Sequence, residues 1–142
     1  MEISFTIPGP PIAKGRPRVG KFGAYTPKKT VEYENLVRMA YVQYAPDAPL
    51  IDGYINAEIR LYFPIPKSAS KKAKAGMMVG KIRPAKKPDC DNCIKSITDA
   101  LNGIAYKDDS QIVAVFCEKY YSDQPRAVVM LSSLEEVEHE SN

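Results

Sequence analysis

The sequence predicts a single α+β domain built from a few strands and two main helices. The chain has 142 residues, 44% of them hydrophobic, and this size suits one domain with one core. Apolar and polar residues alternate near the beginning, middle and end of the chain, whereas two other stretches repeat apolar residues every three or four positions. We expect the domain to span residues 1–132, followed by an acidic C-terminal tail, residues 133–142.

Four segments have the period of a β-strand. EISFTIPG alternates apolar and polar positions and ends at Gly9, which predicts a short first strand and a turn. YINAEIRLYFPIP alternates from Ile55 to Phe63 and stops at Pro64, which predicts a half-buried strand. IVAVFCEKYY predicts another alternating strand, and RAVVML predicts the last one.

Two segments have the period of an α-helix. The first follows Thr30, has the sequence VEYENLVRMAYVQY and should end before Pro46. Its predicted apolar face carries Val31, Leu36, Met39 and Val42. The second should be capped by Asp91 or Asn92 and should stop at Gly103. Its predicted apolar face carries Ile94, Ile97, Leu101 and Ile104.

Charge is distributed unevenly along the chain. Residues 1–87 contain 16 Lys and Arg against 6 Asp and Glu, whereas residues 88–142 contain 4 against 11. Basic segments attract polyanions by neutralising phosphates and releasing counterions, and an acidic pocket tolerates a polyanion when cations sit in it. The combination is typical of a metal-dependent nuclease, although a mildly basic balance is also common among small proteins of other functions.

Two basic segments are the expected DNA contacts. Residues 14–29, KGRPRVGKFGAYTPKK, contain glycines and prolines that exclude a helix, and Phe22 lies among their cations, which suits sugar-phosphate and exposed bases. In residues 67–87, Ser68 or Ser70 could cap a short helix, and we expect a basic flap that orders on its ligand. Both segments could instead be solvated loops. The candidate DNA-contacting residues are Lys14, Arg16, Arg18, Lys21, Lys71, Lys72 and Lys74.

Acidic residues cluster around the second helix. We expect the segment that contains Asp89 and Asp91 to be extended, which places both carboxylates on one face and Cys90 on the other. Further along the chain lie Lys95, Asp99, Asp108 and Asp109. Divalent cations such as Mg²⁺ prefer oxygen ligands, and carboxylate-held metal pairs hydrolyse phosphodiesters. The pattern therefore indicates a metal-dependent phosphodiesterase site.

Each of these residues also has a purely structural interpretation. Asp91 could simply cap the helix, Asp99 could pair with Lys95, and Asp108 with Asp109 could form a turn. A cap does not account for Asp89, which precedes the helix. This excess of acids favours function, with Lys95 placed to act on the phosphate or on the attacking water.

A thiol site is the competing interpretation. Cys90 and Cys93 form a Cys-x-x-Cys at a helix N-terminus, where the helix dipole lowers a thiol pKa. A structural zinc site needs four ligands, and beyond this pair the chain offers only Cys117 and His139. The neighbouring aspartates would also disfavour a thiolate. We therefore expect Cys90 and Cys93 to be small residues that fill the core.

The chain has no run of about 18 to 20 apolar residues and no signal peptide at its N-terminus, so we expect a cytoplasmic protein with no membrane partner. In that compartment the three cysteines would stay reduced. Their odd number does not resemble a disulfide framework.

Residues 87–113, KPDCDNCIKSITDALNGIAYKDDSQIV, resemble the signature of the RusA family of Holliday junction resolvases, small endodeoxyribonucleases of bacteria and their prophages. The N-terminal GPPIAKGRPR and the later AYTP also resemble the opening of that family. The resemblance extends to about residue 122. It implies a homodimer of mixed α/β subunits, each with a small mixed β-sheet and two main helices, which binds four-way junction DNA and nicks two strands symmetrically with Mg²⁺.

The resemblance also assigns roles to residues. It makes Asp89, Asp91 and Asp109 the catalytic, metal-binding carboxylates and Lys95 the catalytic lysine, with Asp108 as a further candidate ligand. Mn²⁺ is expected to substitute for Mg²⁺, and no nucleotide cofactor is expected. This sequence departs from the family at both cysteines of the motif, where aliphatic residues are more frequent, and at Arg83, where many relatives have a histidine.

Two other classes of function stay open from the sequence. A junction-binding or single-strand-binding module would bind DNA without metal and never nick it. A zinc or thiol protein would contain stoichiometric zinc or lose two hydrogens on mild oxidation.

Overall fold

The protein is described by a computed structural model that covers residues 1–134. Its strands are β1 (Glu2–Pro8), β2 (Arg18–Gly20), β3 (Gly23–Tyr25), β4 (Tyr54–Pro64), β5 (Ile112–Ser122) and β6 (Arg126–Leu134). Its helices are α1 (Lys28–Tyr44), α2 (Lys71–Met78) and α3 (Cys90–Ala100), with a 3₁₀ turn at Asp109–Gln111. The predicted α+β class is confirmed, with α1 and α3 as the two main helices. Most of the predicted acidic tail, residues 135–142, lies outside the described residues.

The main sheet has the strand order β1-β6-β4-β5. β4 pairs with β5 in parallel and with β6 antiparallel, so the sheet is mixed. The predicted alternation of β4 is confirmed, because its residues from Ile55 to Phe63 are buried at every second position. Each such aliphatic side chain contributes about 1.5 to 3 kcal/mol when fully buried. None of the helices in residues 1–134 is long and apolar enough to cross a membrane.

Helix α1 packs on the sheet through a different face from the one predicted. Val31, Met39 and Val42 are exposed, and Leu36 is only partly buried. The buried residues are instead Thr30, Tyr33, Glu34, Val37 and Tyr41, which are also spaced by three or four. The two tyrosines explain the choice, since aromatic rings bury more area than Val or Met, and Tyr41 packs edge-on against Phe5 at 5.3 Å between ring centroids.

Helix α3 begins earlier than predicted. The amide of Cys93 donates to the carbonyl of Asp89 at 3.2 Å, so Asp89 is the N-cap position and Asp91 lies in the first turn. The expected extended conformation is confirmed at Asp89 but is wrong at Asp91, which is already helical, and the expected cap at Asp91 or Asn92 is also wrong. The buried face is confirmed at Ile97 and Leu101, while Ile94 and Ile104 are partly buried. The predicted stop is also confirmed, because Gly103 has a φ of 81°, which favours glycine.

The two basic segments contain regular structure. Residues 14–29 form no helix before Lys28, as predicted, but they include the short β2–β3 hairpin, which the sequence did not predict. In the second basic segment, the Ser70 hydroxyl accepts from the amide of Ala73 at 3.1 Å, which confirms the capped short helix α2.

Strand β5 is the edge strand of the main sheet beside β4. Its existence was predicted, but its first half does not alternate between buried and exposed residues, because Val113, Val115 and Phe116 are all exposed. The edge position is consistent with this exposure, because β5 pairs with β4 on one side and with no other strand of residues 1–134.

Candidate carboxylate and lysine site

Helix α3 presents its polar residues along one line. Asp91, Lys95 and Asp99 are each four positions apart, and residues at this spacing lie on one side of a helix. The Lys95 ammonium is 3.4 Å from a carboxylate oxygen of Asp99. The predicted ion pair between these two residues is thus confirmed, and Asp99 is held at the C-terminal end of the line.

Asp109 meets this line at Asp99, where the two carboxyl groups lie close enough to form a hydrogen bond when one of them is protonated. The approach follows from the turn after α3. The Asn102 side-chain oxygen accepts from the Asp109 amide at 2.8 Å. Asp108 caps the 3₁₀ turn by accepting from the amide of Ser110 at 3.2 Å. Asp108 therefore does form a turn, whereas the Asp109 side chain points to α3.

Gln111 fixes that turn against the sheet. Its side-chain oxygen accepts from the amides of Lys107 and Asp108, and its side-chain nitrogen donates to the carbonyls of Ile51 and Gly53, both at 3.0 Å. The position of Asp109 is consequently set by contacts with residues far away in the sequence. A cleft of about 770 Å³ opens beside this turn, next to Asp108.

Lys14 joins the first basic segment to the same site. Its ammonium is 3.0 Å from Glu34 and 3.5 Å from Asp99, and its backbone amide donates to the carbonyl of Asn92 at 2.9 Å. Glu34 is only 8% exposed, so Lys14 neutralises a nearly buried carboxylate. The structure thus gives Lys14 a role inside the protein, while its contact with DNA stays a prediction.

The charges around the pair push its two pKa values apart. Burial alone would raise the pKa of Asp99, but the hydrogen bond with Asp109 and the charges of Lys95 and Lys14 lower it below its ordinary value. The pKa of Asp109 is raised by burial and then by its contact with Asp99, with a smaller effect of Asp108. Two carboxyl groups in contact share a site that favours a proton or a cation between them.

The pKa of Lys14 responds to the same network. Burial lowers it, but the hydrogen bond and the charge of Glu34, followed by those of Asp99, outweigh burial and raise it above its ordinary value. Lys14 therefore stays charged at neutral pH.

The predicted site residues fall into two groups. Asp109 and Lys95 meet at Asp99, which the sequence assigned only to an ion pair. Asp91 is eight residues from Asp99, or about 12 Å along the helix, and Asp89 precedes it. In residues 1–134, no three Asp, Glu, Cys or His side chains converge closely enough to hold a metal ion as they stand. The sequence did contain a signal for Asp99 as a site residue, because its spacing from Asp91 and Lys95 places all three on the same side of α3.

The three cysteines lie close to one another, two on α3 and one on β5. Cys93 is fully buried, as predicted for a core residue, and burial followed by the nearby Cys90 raises its pKa to about 12. Cys90 is half-buried and lies near Cys117, whose pKa is raised to about 12 by burial and then by Cys90. Raised thiol pKa values disfavour the thiolates that zinc or redox chemistry requires, which supports the packing interpretation.

Most of the remaining basic candidates are accessible to a ligand. Arg16, Arg18 and Lys21 are exposed on or beside the β2–β3 hairpin. On α2, Lys71 and Lys72 are exposed and Lys74 is half-buried. Their assignment to DNA stays a prediction.

An α+β domain that sets paired carboxylates and lysines beside exposed basic segments has the features expected of a small nuclease. More specifically, the chain is a member of the RusA endodeoxyribonuclease family: the family model described as Endodeoxyribonuclease RusA matches residues 8–132. The chain is also 41% identical, over 135 residues, to a protein of Bacillus subtilis (strain 168) named Uncharacterized protein YqaN. That match covers 91% of this chain and 94% of the relative.

Proposed function

We propose that this protein is a Mg²⁺-dependent endonuclease that resolves Holliday junctions by paired, symmetric nicks during DNA recombination and repair. Membership in an endodeoxyribonuclease family supports the reaction class. The observation that carries the proposal within this chain is the Asp99–Asp109 carboxyl pair, flanked by Lys95 and Lys14.

The donor set fits a hard divalent cation. All the candidate ligands are carboxylate oxygens, and two carboxyl groups in direct contact gain stability when a cation lies between them. Mg²⁺ usually takes one or two protein carboxylates and completes its shell with waters and phosphate, and Mn²⁺ accepts the same ligands. The residues that would hold the ion are Asp89, Asp91 and Asp109, with Asp108 as a further candidate and Asp99 added by its contact. When bound, the ion supplies charge stabilisation and an activated water.

The chain's own residues prepare the site for a phosphate. Lys95 is largely exposed beside Asp99, so its ammonium can reach a phosphate oxygen as negative charge develops there. Lys14, whose side chain is more buried than that of Lys95, contacts the same oxygen of the Asp99 carboxylate. Asn102 fixes the backbone of Asp109. The two carboxylates are thereby oriented before substrate arrives, which reduces the reorganisation that the reaction requires.

Two matched cuts require two copies of the site, and we propose that the copies pair through β5. The outer edge of residues 112–116 has unpaired backbone groups among residues 1–134, carries no charge and exposes apolar side chains on both faces. The second half of β5 is different, because Arg83 donates to the carbonyl of Lys119 at 2.9 Å. Antiparallel pairing of two copies about Ala114 would set their Asp109 residues about 30 Å apart.

The decisive experiment compares a labelled four-way junction with a linear duplex of the same sequence, in Mg²⁺ and in EDTA. Wild type should nick the junction symmetrically and leave the duplex intact. Asp91→Asn and Asp109→Asn should bind the junction without cutting it. If wild type binds the junction yet leaves every strand intact in both Mg²⁺ and Mn²⁺, the protein is a binding module and the nuclease proposal fails.

Electrostatic contact with DNA has its own test. Replacing several of the exposed cations with alanine should make the logarithm of the binding constant fall less steeply with the logarithm of salt concentration, by about 0.9 per lost phosphate contact. An unchanged slope would contradict the assignment. The residues to replace are the exposed Arg16, Arg18, Lys21, Lys71 and Lys72, together with the half-buried Lys74.

A further inference from the structure

The β2–β3 hairpin exposes an aromatic residue at its tip. Gly20 pairs with Gly23, so Lys21 and Phe22 form the turn between the strands. Phe22 is 96% exposed, and all six residues of the two strands are exposed as well. Phe22 therefore contributes nothing to the core of this subunit, although phenylalanine is among the residues most often buried.

The surroundings of Phe22 suit a polyanion. Arg16, Arg18 and Lys21 flank it, and the Lys21 ammonium lies 5.9 Å from its ring centroid. Residues 3–31 contain no Asp or Glu. An acid-free segment that combines cations with an exposed ring matches the way proteins bind unpaired nucleotides, with cations on the phosphates and rings stacked on the bases.

The base of the hairpin is anchored beside the carboxylate site. The Lys14 amide donates to the carbonyl of Asn92 in α3, and the Gly15 amide donates to the Thr30 hydroxyl in α1, both at 2.9 Å. The packing at Gly15 is tight, since a Cβ there would lie 2.9 Å from the side chain of Thr30. Seven residues separate Gly15 from Phe22, so the tip reaches at most about 23 Å from this anchor.

We propose that Phe22 inserts between bases at the branch point of junction DNA and holds them unstacked while the strands lie at the carboxylates. The ligand class is the unstacked nucleobase of branched DNA. Apolar wedges of this kind open base steps in other DNA-binding proteins. A reach of at most about 23 Å corresponds to no more than about seven base steps of 3.4 Å, so a branch near the cutting site is within range. This inference rests on the proposed function for its substrate.

The test places the fluorescent base 2-aminopurine at the branch point of a four-way junction and measures binding in EDTA, where no cutting occurs. Wild type should raise the fluorescence severalfold as the base unstacks. Phe22→Ala should lose most of that rise and bind about 5- to 150-fold more weakly, with an unchanged salt dependence. Phe22→Trp should keep the rise.

Val19→Ala is the matched control, because Val19 is 88% exposed on the same hairpin but lies on a strand and not at the tip. It should behave as wild type in both binding and fluorescence, and equal melting temperatures should show that all variants are folded. The inference is overturned if Phe22→Ala keeps the full fluorescence rise, or if Val19→Ala loses as much as Phe22→Ala. Binding by Phe22→Ala at wild-type affinity would instead assign the ring to a protein partner.

The two proposals fail separately. A fluorescence rise that depends on Phe22, in a protein that never cuts DNA, supports the wedge and refutes the nuclease. Normal, symmetric cutting by Phe22→Ala, with an unaltered fluorescence change, refutes the wedge and supports the nuclease.

Discussion

Replacing Lys14 with methionine should destabilise the fold as well as the carboxylate site. Methionine keeps the length of the side chain but leaves Glu34, which is 8% exposed, without its partner at 3.0 Å. Breaking a buried ion pair costs about 3 to 5 kcal/mol. The Lys14 side chain is 22% exposed, and solvent screening reduces that value, so we expect a loss of about 2 to 3 kcal/mol.

Urea unfolding measures this loss. At a slope of about 2 kcal/mol per molar, the midpoint should fall by about 1 to 1.5 M. The double variant Lys14→Met with Glu34→Gln should recover part of the stability, because the uncompensated charge is removed. A single-variant loss below about 0.5 kcal/mol, or a double variant whose loss is the sum of the two singles, would refute the buried-pair reasoning.

The pH dependence gives an independent check with a definite sign. The pKa of folded Lys14 lies above its ordinary value, because the contacts with Glu34 and Asp99 outweigh the effect of burial. A raised lysine pKa stabilises the fold fully below the unfolded value of about 10.4, and the stabilisation disappears as pH rises through the folded value. The difference between wild type and Lys14→Met should therefore be constant from pH 7 to 9 and should shrink above pH 10.4.

Three further predictions concern other parts of the molecule. Asp99→Asn should reduce junction cutting about 100-fold or more in a nicking assay, with little change in binding. The reason is that the amide keeps the shape of the side chain but removes a negative charge from the carboxyl pair. Cutting at the wild-type rate would limit Asp99 to a structural role. Val115→Lys should convert a dimer into a monomer in light scattering, whereas Met39→Lys, on the exposed face of α1, should not; the reverse result would move the interface to α1. Cys93 should react with iodoacetamide at pH 8 about a thousandfold more slowly than an ordinary cysteine, because burial raises its pKa to about 12. Mass spectrometry follows the reaction, and rapid labelling would contradict the place of Cys93 in the core.

The sequence predicted features that depend on local interactions better than features that depend on contacts between distant residues. The strand β4 was predictable because apolar residues at every second position are a local pattern, and this pattern suits any sheet with one buried face. The buried face of α1 was not predictable in the same way. Two helical stripes compete in that segment, and the choice between them depended on Tyr41 meeting Phe5, which is 36 residues away.

The site shows the same division. Lys95 and Asp99 could be paired from their spacing on one helix. The extended geometry expected for residues 89–91 holds at Asp89 but not at Asp91, because the helix begins at Cys90 and the sequence carries no distinct signal for where the first turn closes.

By itself, the sequence determined the α+β class, the four strands of the main sheet, the existence of α3, and the basic and acidic halves. It also contained the family signature with Asp89, Asp91, Lys95 and Asp109. These are properties of local period, composition and motif. Only the tertiary structure brought Asp109 to Asp99, tied Lys14 to Glu34, left the edge of β5 open and set Phe22 on a projecting hairpin. Those features depend on contacts between segments distant in the chain, and no local pattern encodes which segments will meet.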